Sequence, residues 1–171
     1  MTAALDNPVS TAARSACHLE LRDAYDPANT AYSAWLETGT HPAVADRPPW
    51  AAWHRTVADA VARGVHVRRA RVIGEPVSSY IRWEWEVTPI LNTSAGEDVR
   101  WLPRRRATDL ALPSTDYWLI DGQRVVFAHF SGDGKLIEHE GVEDSAVVKM
   151  CAEAFDAVWR RAIPHDQYRP A

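Results

Sequence analysis

Between Trp50 and Ile73 the apolar residues change period across a single glycine. Trp50, Trp53, Val57, Ala60 and Val61 recur at helical spacing, and Gly64 is the natural stop. From Val65 the pattern alternates, with Val65, Val67, Arg69, Arg71 and Ile73 on one parity. A helix that passes directly into a strand commits the chain to layers, with helices packed on a sheet. The alternation also sets two arginines among aliphatic residues on one face of that strand, which a plain core does not need.

The elements that follow can be read from local signals. Gly74-Glu75 ends the strand, and Pro76 is expected at the first position of a helix. Val77, Tyr80, Ile81, Trp85 and Thr88 form its inner face, and Pro89 helps to end it. Glu84 stands beside Trp85, close to that apolar face. A carboxylate is uncomfortable there unless an arginine meets it. A short strand from Asp98 to Leu102 closes at Pro103 and the run Arg104-Arg105-Arg106. Asp121-Gly122 between Tyr117–Ile120 and Arg124–Phe130 signals a hairpin, and residues 135–139 offer a further strand. Ala146, Val147, Met150, Cys151, Ala154, Phe155, Val158, Trp159 and Ala162 make a core-facing helical stripe, capped by Asp144 or Ser145 and followed by Pro164.

Upstream the signals compete. Residues 11–26 fit helical spacing at Ala13, Ala16, Cys17 and Leu21, yet His18-Leu19-Glu20-Leu21 alternates. Asp26-Pro27 looks like a cap and first-turn proline, opening a helix that stops at Gly39. Residues 1–10 are small and polar and are expected to be disordered, which leaves 11–171 as a single α/β domain with a mixed twisted sheet.

With 171 residues, one domain with a real core is expected. A formal charge of −4 and a pI near 6.0 argue against a general nucleic-acid coat, so no direct nucleic-acid binding is expected. No apolar run approaches the roughly 20 residues of a membrane span, and the N-terminus lacks a secretory pattern. Cys17 and Cys151 are the only cysteines and do not stand at metal-ligand spacing. These features fit a cytoplasmic protein with reduced thiols, no metal and no cofactor. Eight tryptophans suit a thick core, a stacking pocket or a partner interface.

The chemistry-bearing residues gather between Arg71 and Arg104. Arg68, Arg69, Arg71, Arg82, Arg100, Arg104, Arg105 and Arg106 surround one strand-helix-strand unit. Helix N-termini and strand C-termini in open α/β sheets receive anions, and Arg71, Arg100 and Arg104 can hold a phosphate or carboxylate bidentately. The competing reading is that they pair with Glu75, Glu84, Glu86, Glu97 and Asp98. His129 on its strand is a candidate general base, against the plainer reading of a structural histidine. Among nucleophile and phosphate motifs, Gly-x-Ser-x-Gly, Gly-x-x-x-x-Gly-Lys and Gly-x-Gly-x-x-Gly do not occur.

Four segments carry a resemblance: His18-Leu-Glu-Leu-Arg-Asp-Ala-Tyr; Arg69-Ala-Arg-Val-Ile-Gly-Glu-Pro-Val-Ser-Ser-Tyr-Ile-Arg-Trp-Glu; Gly96-Glu-Asp-Val-Arg-Trp-Leu-Pro-Arg; and Asp116-Tyr-Trp-Leu-Ile-Asp with His129-Phe. Together they resemble an uncharacterised family of small actinobacterial proteins, domains of unknown function often encoded beside helix-turn-helix regulators. The order of elements also resembles half of a phospholipase-D-like domain. That superfamily's His-x-Lys signature is missing, because His66 leads to Arg68 and His129 to Ser131.

The resemblance implies a non-catalytic accessory domain. It would bind a helix-turn-helix regulator partner, or a small anionic ligand, through Arg71, Glu75, Tyr80, Arg82, Glu84, Glu97, Arg100 and Arg104. One alternative is a small-metabolite enzyme with Glu84 or His129 as acid or base and arginines as anion clamps. Another is a toxin-like member of a two-gene module. Homodimerisation is left open.

Overall fold

The structure, a computed structural model, describes residues 7–26 and 28–171. Its frame is a seven-stranded mixed sheet among the described residues, in the order β6-β5-β4-β1-β2-β3-β7. The strands are β1 (Ser15–Glu20), β2 (His66–Ile73), β3 (Asp98–Pro103), β4 (Tyr117–Ile120), β5 (Arg124–Phe130), β6 (Leu136–Val142) and the short β7 (Ile163–Pro164). β1, β2 and β3 run parallel, and the flanking strands pair antiparallel. The α/β class and mixed sheet expected from the sequence are therefore present.

Residue parity along the parallel strands sorts the molecule into two faces. Cys17, Leu19, Ala70, Val72 and Leu102 pack under α5 (Ser145–Arg161), which contributes Val148, Cys151, Phe155 and Val158. The other face carries Ala16 and Val67 under α3 (Pro48–Ala62), and Ile73, Val99 and Trp101 under α4 (Ser79–Leu91). α2 (Thr30–Thr38) packs beside α4 through Ala31, with Tyr80, Trp83 and Val87 opposite.

Local chemistry explains most boundaries. Asp121 and Gly122 both take positive φ, the two-residue turn that matches strand twist. The Asp121 carboxylate also accepts the backbone N–H groups of Ala13, Arg14 and Ser15, which ties the hairpin to the start of β1. Asp144 caps α5 through the N–H groups of Ala146 and Val147.

Several expectations need correction. The stretch with competing signals is a strand over Ser15–Glu20, where the alternation prevailed. Residues 1–6 and Pro27 lie outside the described residues, so neither the disorder of 1–6 nor a first-turn role for Pro27 is addressed. From Asn7 the chain is ordered: α1 (Pro8–Thr11) is capped by Asn7, and Val9 is fully buried. The helix ending before Gly39 starts at Thr30, because Asn29 accepts the N–H groups of Ala31 and Tyr32. Pro76 does not open α4; Ser78 does, its Oγ accepting the Ile81 N–H. Pro89 lies inside α4 rather than ending it. Met150 is exposed, and Val148 takes its place in the core stripe.

Candidate functional site

The parallel register of β1 and β2 sets His18 opposite Arg69 and Glu20 opposite Arg71. All four side chains point to the face under α3 and α4, where they form a buried ionic lattice. The Arg69 Nη1 donates to Glu20 Oε1, and its Nε donates to Glu97 Oε1 at 2.7 Å. The Arg71 Nε donates to Glu20 Oε2 at 2.5 Å, and its Nη1 to Thr88 Oγ1 at 2.8 Å. Asn92 Nδ2 donates to the other Glu97 oxygen at 2.6 Å. Burial opposes the charge on Glu20, but Arg69 and Arg71 more than offset it and hold its carboxyl well below the usual carboxylate range.

Above the lattice is an open recess of about 310 Å³. Trp50 and Trp53 from α3 wall one side; Tyr80, Trp83, Glu84, Val87 and Leu91 from α4 wall the other. Trp118 of β4 closes an end, with the His18 ring stacked on it at 4.2 Å between centroids and 9° between planes. The Arg69 guanidinium lies 5.5 Å from the ring centres of both Trp53 and Trp118. Burial, reinforced by Arg69, keeps the His18 imidazole neutral well below its ordinary range.

Glu84 differs from the other carboxylates. Its side chain is 10% exposed, and its Oε2 has no hydrogen-bond partner among the described residues. The nearest cation is Arg71, whose Nε stands 3.7 Å away, beyond hydrogen-bond reach, and already serves Glu20. Burial pushes the Glu84 carboxyl up to about 7; Arg71 opposes the rise and Glu20 adds to it. Asp116, just before β4, accepts from the Tyr25 hydroxyl at 2.5 Å and the Leu21 N–H at 2.8 Å. Burial raises its carboxyl to about 6.

The sequence expectation of one anion-binding arginine recess is thus corrected. Of the residues expected together, Arg71, Tyr80 and Glu84 line the recess, and Glu97 lies fully buried in the lattice beneath it. The rest are elsewhere. Arg100 has the opposite parity to Arg71 and sits on the α5 face, 4.2 Å over the Trp159 ring. Arg104 is exposed and donates to the carbonyls of Leu21 and Val72 and to Asp23. Glu75 accepts from the Tyr168 hydroxyl at 2.9 Å, and Arg82 is exposed on α4. His129 pairs with Glu140 at 2.8 Å near the sheet edge and lines no part of the recess. The two central arginines are locked to carboxylates, so the floor offers no net positive charge to an anion.

Sequence reasoning missed His18, Glu20, Asn29, Trp50, Trp53, Trp83, Asn92 and Trp118. The alternating His18-Leu19-Glu20 was a usable signal, since two polar residues on one strand parity face the same way. Among the described residues no group of three or more metal-ligating side chains occurs, and no helix is long and apolar enough to cross a membrane.

The model of a family described as a domain of unknown function, DUF6879, matches residues 3–170, and the chain belongs to that family. No curated protein matches the sequence. Among solved structures, Nuc from Salmonella typhimurium, a phospholipase D family member, aligns with a TM-score of 0.53 and 10% identity, covering 95% of this chain and 86% of that one. The phospholipase-D-like fold is therefore shared. The archaeal chromatin protein TrmBL2, whose structure is described as showing a novel mode of DNA binding, aligns with a TM-score of 0.49 and 14% identity. That alignment covers 91% of this chain, which spans about half of the chromatin protein (46%).

Proposed function

We propose that this member of a family without an assigned role is a small-molecule-binding accessory module, and that its site is the tryptophan-walled recess above the Glu20-Arg69-Arg71-Glu97 lattice. One observation carries the reading: the Glu84 side chain lines the recess, and its buried Oε2 has no hydrogen-bond partner among the described residues. Such a group costs on the order of 1–3 kcal/mol when left unpaired, and a ligand removes that cost. The lattice supplies a rigid floor and the indole rings supply flat contact area.

The test is a thermal-shift screen of a metabolite collection, run on the wild type and on Leu91→Trp, which fills the rim without touching the lattice. Compounds should raise the wild-type melting temperature and leave the filled variant unmoved. An equal response from both proteins places binding elsewhere. As an accessory module, the protein would report occupancy to a helix-turn-helix regulator partner, and ligand-dependent co-purification of the two reads that step directly.

A second reading has its own observation. A carboxyl that titrates near neutrality and is open to a recess is the usual condition of a general acid or base. On that reading Glu84 moves a proton on a bound metabolite, and His129 takes no part because it lines no part of the recess. Turnover of a compound found in the screen, lost in Glu84→Gln while binding survives, favours it over the first.

A further inference from the structure

The charges around the recess close by themselves only while Glu84 keeps its proton. Arg69 and Arg71 are matched by Glu20 and Glu97. The Glu84 carboxylate would be a third negative group beside two positive ones, and neutral His18 supplies no further charge. Ionised, Glu84 leaves one positive charge wanting, beside a recess that its side chain lines. The walls suit a cation as well. Arg69 already covers Trp53 and Trp118, and Arg47 covers Trp50, but Trp83 and Tyr80 remain, 5.2 Å apart and 64° inclined. The 310 Å³ volume admits a body of one or two rings.

We infer that the recess binds an organic monocation, an ammonium, amidinium or guanidinium on a flat apolar body, with its N–H groups donating to Glu84. The inference rests on the recess being a ligand site and adds the charge and donor pattern of the ligand. A charge-assisted pair formed out of water gives both affinity and orientation. Binding then requires the carboxylate form of Glu84, so a proton leaves as the cation enters. The groups facing Glu84 are Glu20 and His18 from β1, Arg69 and Arg71 from β2, Tyr80 and Thr88 on α4 itself, Tyr25 after β1 and Asp116 before β4. Asp116 also titrates on the acid side of neutrality, so Glu84→Gln is the control that isolates the Glu84 contribution.

The experiment compares benzamidine with benzamide, its neutral isostere, by tryptophan fluorescence titration of the full chain. At pH 8 benzamidine should bind at least tenfold tighter than benzamide. With the Glu84 carboxyl at about 7, its affinity should fall about tenfold on going to pH 6. Glu84→Gln keeps the shape of the side chain and should abolish both the preference and the pH dependence. Benzamide binding as well as or better than benzamidine overturns the inference and leaves the recess as a ligand site, with protonated Glu84 as a donor. No response to either probe, together with equal melting shifts for the wild type and Leu91→Trp in the metabolite screen, overturns both the inference and the reading beneath it.

Discussion

The two faces of the sheet are built from the same strands and hold the protein together in different ways. Under α5, alternate residues Cys17, Leu19, Ala70, Val72 and Leu102 pack on Phe155 and Val158 in a dry apolar layer. One residue along, Glu20, Arg69 and Arg71 form an ionic lattice under α3 and α4. Arginine occurs on both faces, but its work differs. Arg68 and Arg100 stand over the rings of Phe155 and Trp159, and Arg69 and Arg71 neutralise buried carboxylates. A buried lattice is weaker evidence of stability than an apolar core of equal size, because both charges lose water. Its retention on one face therefore points to a use there.

The sharpest way to break that contrast is to make the same substitution at neighbouring arginines. Arg69→Met leaves the fully buried Glu97 without a cation and Glu20 with Arg71 alone, and should cost about 3–5 kcal/mol in urea unfolding. A loss of less than about 1 kcal/mol would mean that the lattice is not coupled to folding. The next effect has the opposite sign. Glu84→Gln should stabilise the protein at pH 8 by on the order of 2 kcal/mol, because it removes a carboxyl whose ionisation the fold opposes.

The sign follows from linkage. The folded carboxyl sits near 7 and the unfolded one near 4.5, so the folded state binds the extra proton. Stability falls as pH rises between those values and is level above them. The advantage of Glu84→Gln should therefore vanish by about pH 4.5, as urea midpoints across pH 4.5–8 would record. Neutral His18 acts in the other direction, losing stability as pH falls below its unfolded value, so the difference between variant and wild type is the quantity to follow.

Arg68→Met, the partner experiment to Arg69→Met, should cost no more than about 1 kcal/mol. Its guanidinium touches Cys17 Sγ and two aromatic faces, and the replacement keeps most of that apolar contact. The smallest effect is expected at Asp109→Asn. Its bidentate pair with Arg161 is exposed, and thermal melting should not distinguish this variant from the wild type.

The legible parts of the fold were those set by short-range chemistry. Gly64, the Asp121-Gly122 hairpin, the parity of β2 and the Asp144 cap are each decided within a few residues. The site was only half legible for the same reason. Arg71, Tyr80, Glu84 and Glu97 lie close in sequence and could be grouped. Glu20 reaches Arg69 and Arg71 from about 50 residues away, through a strand pairing that no local pattern announces. Grouping arginines by sequence distance also ignored parity, which sends Arg100 through the sheet to the face away from Arg71. Trp50, Trp53 and Trp118 come from two further elements and meet only because α3 packs on the sheet face that carries Val67 and Trp118.

Everything argued for the recess depends on Glu84 standing without a counter-charge. Following the side-chain carboxyl carbons of 13C-labelled protein by NMR against pH reads that state directly. The account predicts one glutamate titrating near pH 7, absent from Glu84→Gln. If every glutamate instead titrates at or below the ordinary range near 4.3, Glu84 already has its partner and the recess has no charge to satisfy.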